Sequence, residues 1–140
     1  MASPKTRLDK VVQLRERVED DALVSFARAR ASLEDARQEL AGAVCASRAD
    51  ARAAGPVELF LLDEHAHRRA LQAVRAAETA LQQATRGELT ARDGWLAARQ
   101  EADAVRQARE RRVAELLGEA ARRERRDADE VATLRFNVAR

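Results

Sequence analysis

Apolar residues recur along the first third of the chain at seven-residue spacing. One row is Val12, Phe26, Leu33 and Leu40; its companion is Leu8, Ala22, Ala29, Ala36 and Ala43. Rows spaced in this way are the a and d positions of a two-stranded helical seam. Arg15 and Glu19 interrupt the pattern near its start. Ser3 supplies a cap, Pro4 a first helical position and Asp9 an early acidic residue, so a first helix is predicted over about 4–53. Alanine along one whole row lets a second helix approach closely but buries little area.

Ala53-Ala54-Gly55-Pro56 then breaks the pattern. Glycine can end one helix and proline can open the next, which places a turn at 54–56 and a second helix over about 57–138. The stripe of that helix reads Phe60, His67, Val74, Leu81, Glu88, Trp95 and Ala102, with Ala70, Ala77, Ala84, Ala91, Ala98 and Val105 between them. After Val105 the phase slips to Val113, Leu117, Ala120, Val131, Leu134 and Val138, as a four-residue insertion in the heptad produces. Gly87 and Asp93-Gly94 are weak points. The second helix either breaks there, with Thr90 capping the restart, or runs through.

A short turn between long helices implies antiparallel neighbours. At about 1.5 Å per residue, the helices would reach roughly 70 Å and 120 Å. Paired from the turn, the first helix ends opposite about Val105 and roughly the last 35 residues overhang. The predicted fold class is therefore all-α: one domain over 1–140, a long antiparallel two-helix coiled-coil hairpin whose second helix is longer and overhangs. An overhanging helix needs a partner from elsewhere, because isolated helices are marginal in water.

Composition supports this and narrows the function. The 140 residues are 36% charged and only 3% aromatic, and isoleucine is missing altogether, which argues against a compact globular core. With two prolines and five glycines the chain does not read as disordered. Its richness in Ala, Arg, Glu and Leu is that of long helices. Twenty-six Lys+Arg face 24 Asp+Glu, a balance that argues against a dedicated nucleic-acid binder. Cys45 is alone, which rules out an intramolecular disulfide and fits a reducing compartment. The start, MASPKTRLDK, lacks the apolar region of a secretory signal, and Leu59-Phe60-Leu61-Leu62 is far short of a membrane span. A cytoplasmic chain without membrane insertion is expected.

Candidate chemistry is sparse. Asp63-Glu64-His65-Ala66-His67 holds the only concentration of metal-ligand residue types, but His65 and His67 point about 200° apart on a helix and cannot share an ion. Asp63 and His67 share a face, which gives at most two ligands. There is no zinc-protease motif, no phosphate loop and no nucleophile paired with a base. No catalytic, cofactor or metal residue is therefore assigned, and the chain is expected not to be an enzyme. Phe60, Leu61 and Leu62 form either an apolar plug at the hairpin end or a docking patch. The Arg106–Arg126 stretch interleaves Glu110, Glu115, Glu119 and Glu124 and has no aromatic for base stacking, so it reads as an ion-paired helix face. Trp95, on the stripe, is read as an anchor of the seam with Phe26, Leu33, Leu40, Val74 and Leu81.

Three landmarks carry a family resemblance. The first helix opens Leu8-x-x-Val11-Val12-x-Leu14-Arg15-Glu16-x-x-Glu19-Asp20-Asp21-Ala22; the second carries Gly94-Trp95-Leu96-Ala97-Ala98; near the end stands Asp127-Ala128-Asp129-Glu130-Val131-Ala132. In order and spacing these resemble FliJ, the small coiled-coil component of the flagellar type III export apparatus, and its injectisome counterparts of the YscO type. FliJ-like proteins are similar to the central stalk of rotary ATPases. The resemblance implies a stalk and adaptor that binds a hexameric export ATPase, an export gate membrane protein and export chaperones, at the cytoplasmic side of the inner membrane. It implies an ATPase-facing end at Leu8, Val12, Arg15, Arg122, Arg123, Arg126, Asp129 and Glu130. It also implies a gate or chaperone surface at Phe60, Ala66, Ala70, Ala73 and Ala77. The alternatives are a generic coiled-coil scaffold or spacer, and a helical protein associated with nucleic acid.

Overall fold

In a computed structural model, residues 4–48 and 56–138 are described, and they form two helices, α1 (Leu8–Arg48) and α2 (Val57–Val138). The Asp9 side chain reaches back to close the start of α1. The Thr6 backbone N–H and hydroxyl donate to the Asp9 carboxylate at 2.9 and 3.0 Å, and the Asp9 N–H donates to the Thr6 carbonyl at 3.2 Å. The Asp9 carboxylate thus ties Thr6 to the first turn; Ser3 lies outside the described residues. At the start of α2 the Pro56 carbonyl accepts from the N–H groups of Leu59 and Phe60, at 3.0 and 3.2 Å. Ala53, Ala54 and Gly55 of the predicted turn lie outside the described residues. No break occurs at Gly87 or Gly94. The Thr90 hydroxyl donates to the Arg86 carbonyl one turn back, at 3.0 Å, and caps nothing.

The helices divide between two units, and in each they pair antiparallel. The first unit is Asp20–Ala97. Its seam is apolar: Leu33, Ala36 and Ala77 are buried, while Ala22, Ala29, Leu40, Ala43, Val74, Leu81, Ala84 and Ala91 are half-buried. The Phe26 and Trp95 rings stack across it, with centroids 5.7 Å apart and planes 6° from parallel. These residues are the predicted heptad rows. Phe60 departs from them: it is 53% exposed, in a run with Val57, Leu59, Leu61 and Leu62 that is exposed throughout. The reason is an offset. The Phe26–Trp95 stack fixes the pairing so that Arg48 comes alongside residues near Ala73. The first turns of α2 therefore reach past the described end of α1.

The second unit is Met1–Glu19 with Ala98–Arg140. Ala98 and Ala102 are buried, and Leu8, Val12, Arg15, Glu19, Val105, Arg109 and Leu116 are half-buried. The start of α1 faces Arg109 to Leu116 and not Val105. Asp9 bonds Arg109, and Thr6 and Leu8 share a groove with Arg112 and Leu116. The seam also keeps its phase beyond Val105. Arg109 and Leu116 continue the Ala102 row, whereas Leu117 is 53% exposed and Ala120 is exposed. The slip comes after Leu116, about three helical turns later than predicted. Arg109 hides it from a search for apolar residues, because a charged side chain fills the seam position. From Arg122 to Val138 every residue is exposed, and this stretch is the C-terminal arm.

Candidate partner-binding surface

Charge fills the seam of the second unit where apolar residues are missing. Arg15 forms an ion pair with Glu101 across the helices. Arg106 is held by three carboxylates: Nη2 donates to Glu19 at 2.7 Å, Nε to Glu16 at 3.2 Å, and Nη1 to Asp103 at 2.6 Å. Arg109 Nε donates to Asp9 at 2.5 Å. The two residues that interrupt the heptad, Arg15 and Glu19, thus each meet an opposite charge from α2.

The electrostatics agree. The hydrogen bonds that Arg106 donates to Glu19 and then to Glu16 raise its pKa further above the usual arginine range. Asp9 does the same for Arg109. The Asp9 carboxyl is lowered below its ordinary 3.8, first by the Arg109 bond and then by the Thr6 N–H. On the arm side, Arg112 is raised by its bond to Glu115.

The ionic seam turns other side chains outward. On α1, Val11, Leu14 and Val18 stand at i, i+3 and i+7 and are 40%, 60% and 41% exposed. On the arm, Val131, Leu134 and Val138 show the same spacing and are exposed as well. Arg122, Arg123 and Arg126 line one shallow groove with Glu119. Arg126, Asp129, Glu130, Thr133 and Leu134 line the next. Of the residues expected at an ATPase-facing end, Leu8, Val12 and Arg15 are half-buried in the seam, whereas Arg122, Arg123, Arg126, Asp129 and Glu130 are exposed; all belong to this unit.

The residues expected at a gate or chaperone surface belong to the other unit. Phe60, Ala66 and Ala73 are exposed, Ala70 is half-buried, and Ala77 is buried in the seam. Glu101, Arg106 and Arg109, which zip the second unit, were not singled out by the heptad pattern. The signal was present all the same: a charge at a seam position calls for its opposite on the facing helix.

Among the described residues no group of three His, Cys, Asp or Glu is placed to hold a metal ion, and no helix is long and apolar enough to cross a membrane. Asp63, Glu64 and His67 are half-buried, and Glu64 accepts from Arg68 at 3.2 Å.

The family model for the flagellar FliJ protein matches residues 4–140. The chain belongs to the flagellar FliJ protein family. It is accordingly a component of the flagellar export apparatus and interacts with that machinery, and FliJ proteins are non-enzymatic. Comparison with curated proteins and with solved structures gave no match. The match spans all three landmarks described above, the α1 opening, the Gly94–Ala98 segment with Trp95 and the Asp127–Ala132 segment.

Proposed function

We propose that the unit with the ionic seam seats in the ring of the hexameric export ATPase and promotes its activity. The other unit presents early α2 to the export gate membrane protein and to export chaperones. One observation supports this reading above others. The ionic-seam unit displays apolar stripes, Val11-Leu14-Val18 and Val131-Leu134-Val138, on faces that its own helix pairing leaves open. Such stripes on helices are faces for a partner. Arg122, Arg123, Arg126, Asp129 and Glu130 would form the charged rim of that contact, and Leu8, Val12 and Arg15 would brace it from the seam. Phe60, Ala66 and Ala73 are the exposed groups for the gate or chaperone contact, with Ala70 and Ala77 supporting them from the seam side. The protein would work in the cytoplasm, peripheral to the inner membrane.

Pull-down with the cognate ATPase, together with hydrolysis assays, tests this. Binding at low micromolar concentration and faster hydrolysis are expected; no binding in that range overturns the reading. Leu14→Asp with Val18→Asp should weaken the contact roughly tenfold or more, as loss of apolar interface anchors does, with helix content unchanged.

A further inference from the structure

The arm carries a second seam, separate from the one it continues. Extending the α1-facing row of Ala102, Arg109 and Leu116 by heptads leads to Arg123 and Glu130, which are charged and exposed. The arm's own stripe is Ala121, Glu124, Ala128, Val131, Arg135 and Val138, with steps of three and four residues in strict alternation. That alternation is the a/d pattern of a two-stranded coiled coil. The stripe is turned about a quarter of the way round the helix from the face that α1 occupies. Val131 is 48% exposed and Val138 87%, while Glu124, Ala128 and Arg135 are exposed as well.

The stripe is self-complementary. Laid antiparallel against a second copy, Ala121 meets Val138, Glu124 meets Arg135 and Ala128 meets Val131, each pair occurring twice about the two-fold axis. Both seam charges then face an opposite charge. Sliding one heptad either way sets Glu124 against Ala128, or Arg135 against Val131. A parallel pairing sets Glu124 against Glu124 and Arg135 against Arg135. Unpaired or like charges in a seam disfavour those arrangements, as they do in coiled coils generally. We infer that the arm is a homodimerisation element: two copies of this chain pair antiparallel through residues 121–138, locked in register by reciprocal Glu124–Arg135 ion pairs. The seam holds only alanine and valine besides these charges, so the contact is small and reversible. It covers Val131 and Val138, so the dimer is a form in which these two valines are closed to other partners.

Sedimentation equilibrium of the full chain, without any other protein, tests the inference and does not depend on the ATPase reading. The wild type should self-associate with a dissociation constant on the order of 100 µM, the weak end of specific contacts. Glu124→Arg and Arg135→Glu should each weaken dimerisation roughly five- to tenfold, because each turns two exposed attractive pairs into repulsive ones. The double variant should recover to within about twofold of the wild type, and an equimolar mixture of the two single variants should dimerise as the wild type does. All four chains should show equal helix content, since neither residue touches the α1–α2 seam. A wild type that stays monomeric to about 1 mM overturns the inference. So do single reversals without effect, or a double variant that does not recover.

Discussion

Glycine inside a helix tests whether the residue serves contact or only tolerates position. A Cβ built on Gly87 or Gly94 would meet nothing within 4 Å, and both sit in the unbroken stretch of α2. The helix carries them at a cost in backbone entropy that alanine avoids. Gly87→Ala and Gly94→Ala should each stabilise the fold by about 1 kcal/mol, read as a higher midpoint in thermal or urea unfolding. Leu33 shows the converse. Among the described residues it is the largest buried side chain, 8% exposed, and the other buried ones are all alanine. Leu33→Ala should cost about 2–3 kcal/mol, measured in the same unfolding experiment. Leucine and phenylalanine at heptad spacing were legible from the sequence because apolar type and burial coincide there. Arg109 was not, because a guanidinium fills a seam position only when the facing helix supplies a carboxylate.

At the scale of the element, the start of α1 hangs on Asp9. One carboxylate accepts from the Thr6 N–H and hydroxyl and from Arg109 on α2. Its pKa in the fold lies below the ordinary 3.8, so the stabilisation is complete above that value and is lost as pH falls through the depressed one. Amide protection in the first turns of α1 should therefore hold from neutrality down to about pH 4 and fall below it. Asp9→Asn should remove that step and lower protection already at pH 7; hydrogen exchange read by mass spectrometry or NMR checks both. The sequence pointed to Asp9 as a first-turn acid but gave the cap to Ser3. Ser3 lies outside the described residues, and the bonds that Asp9 makes near the start of α1 go to Thr6, three residues back. The position of α1 along α2 was less legible. It follows from the Phe26–Trp95 stack and the Asp9–Arg109 pair, long-range contacts that no local pattern states.

Across the whole molecule, two kinds of seam coexist in one pair of helices. In the Asp20–Ala97 unit the pairing is apolar and aromatic; in the other it is built on Arg15–Glu101, Asp9–Arg109 and the three carboxylates around Arg106. Exposed ion pairs are screened by salt and apolar burial is not weakened by it. Raising sodium chloride to about 0.5 M, where the Debye length falls to about 4 Å, should speed hydrogen exchange in residues 8–19 and 98–116. Residues 26–43 and 74–95 should be little affected. Arg106→Ala should mimic the salt in the first pair of segments. The fold class was legible because a heptad repeats enough times to declare itself. Of the partner surface proposed above, the sequence singled out only what family landmarks marked. The outward stripe Val11-Leu14-Val18 falls outside the heptad rows and became visible once burial separated it from Leu8 and Val12.

The stacked ring at Trp95 has an optical consequence. It is the only tryptophan, and the chain contains no tyrosine, so near-ultraviolet absorption and emission arise almost entirely from one indole lying on Phe26. Intrinsic fluorescence is thus a label supplied by the sequence itself. Its signal belongs to the apolar seam, and loosening confined to the ionic seam should leave it dark to that probe.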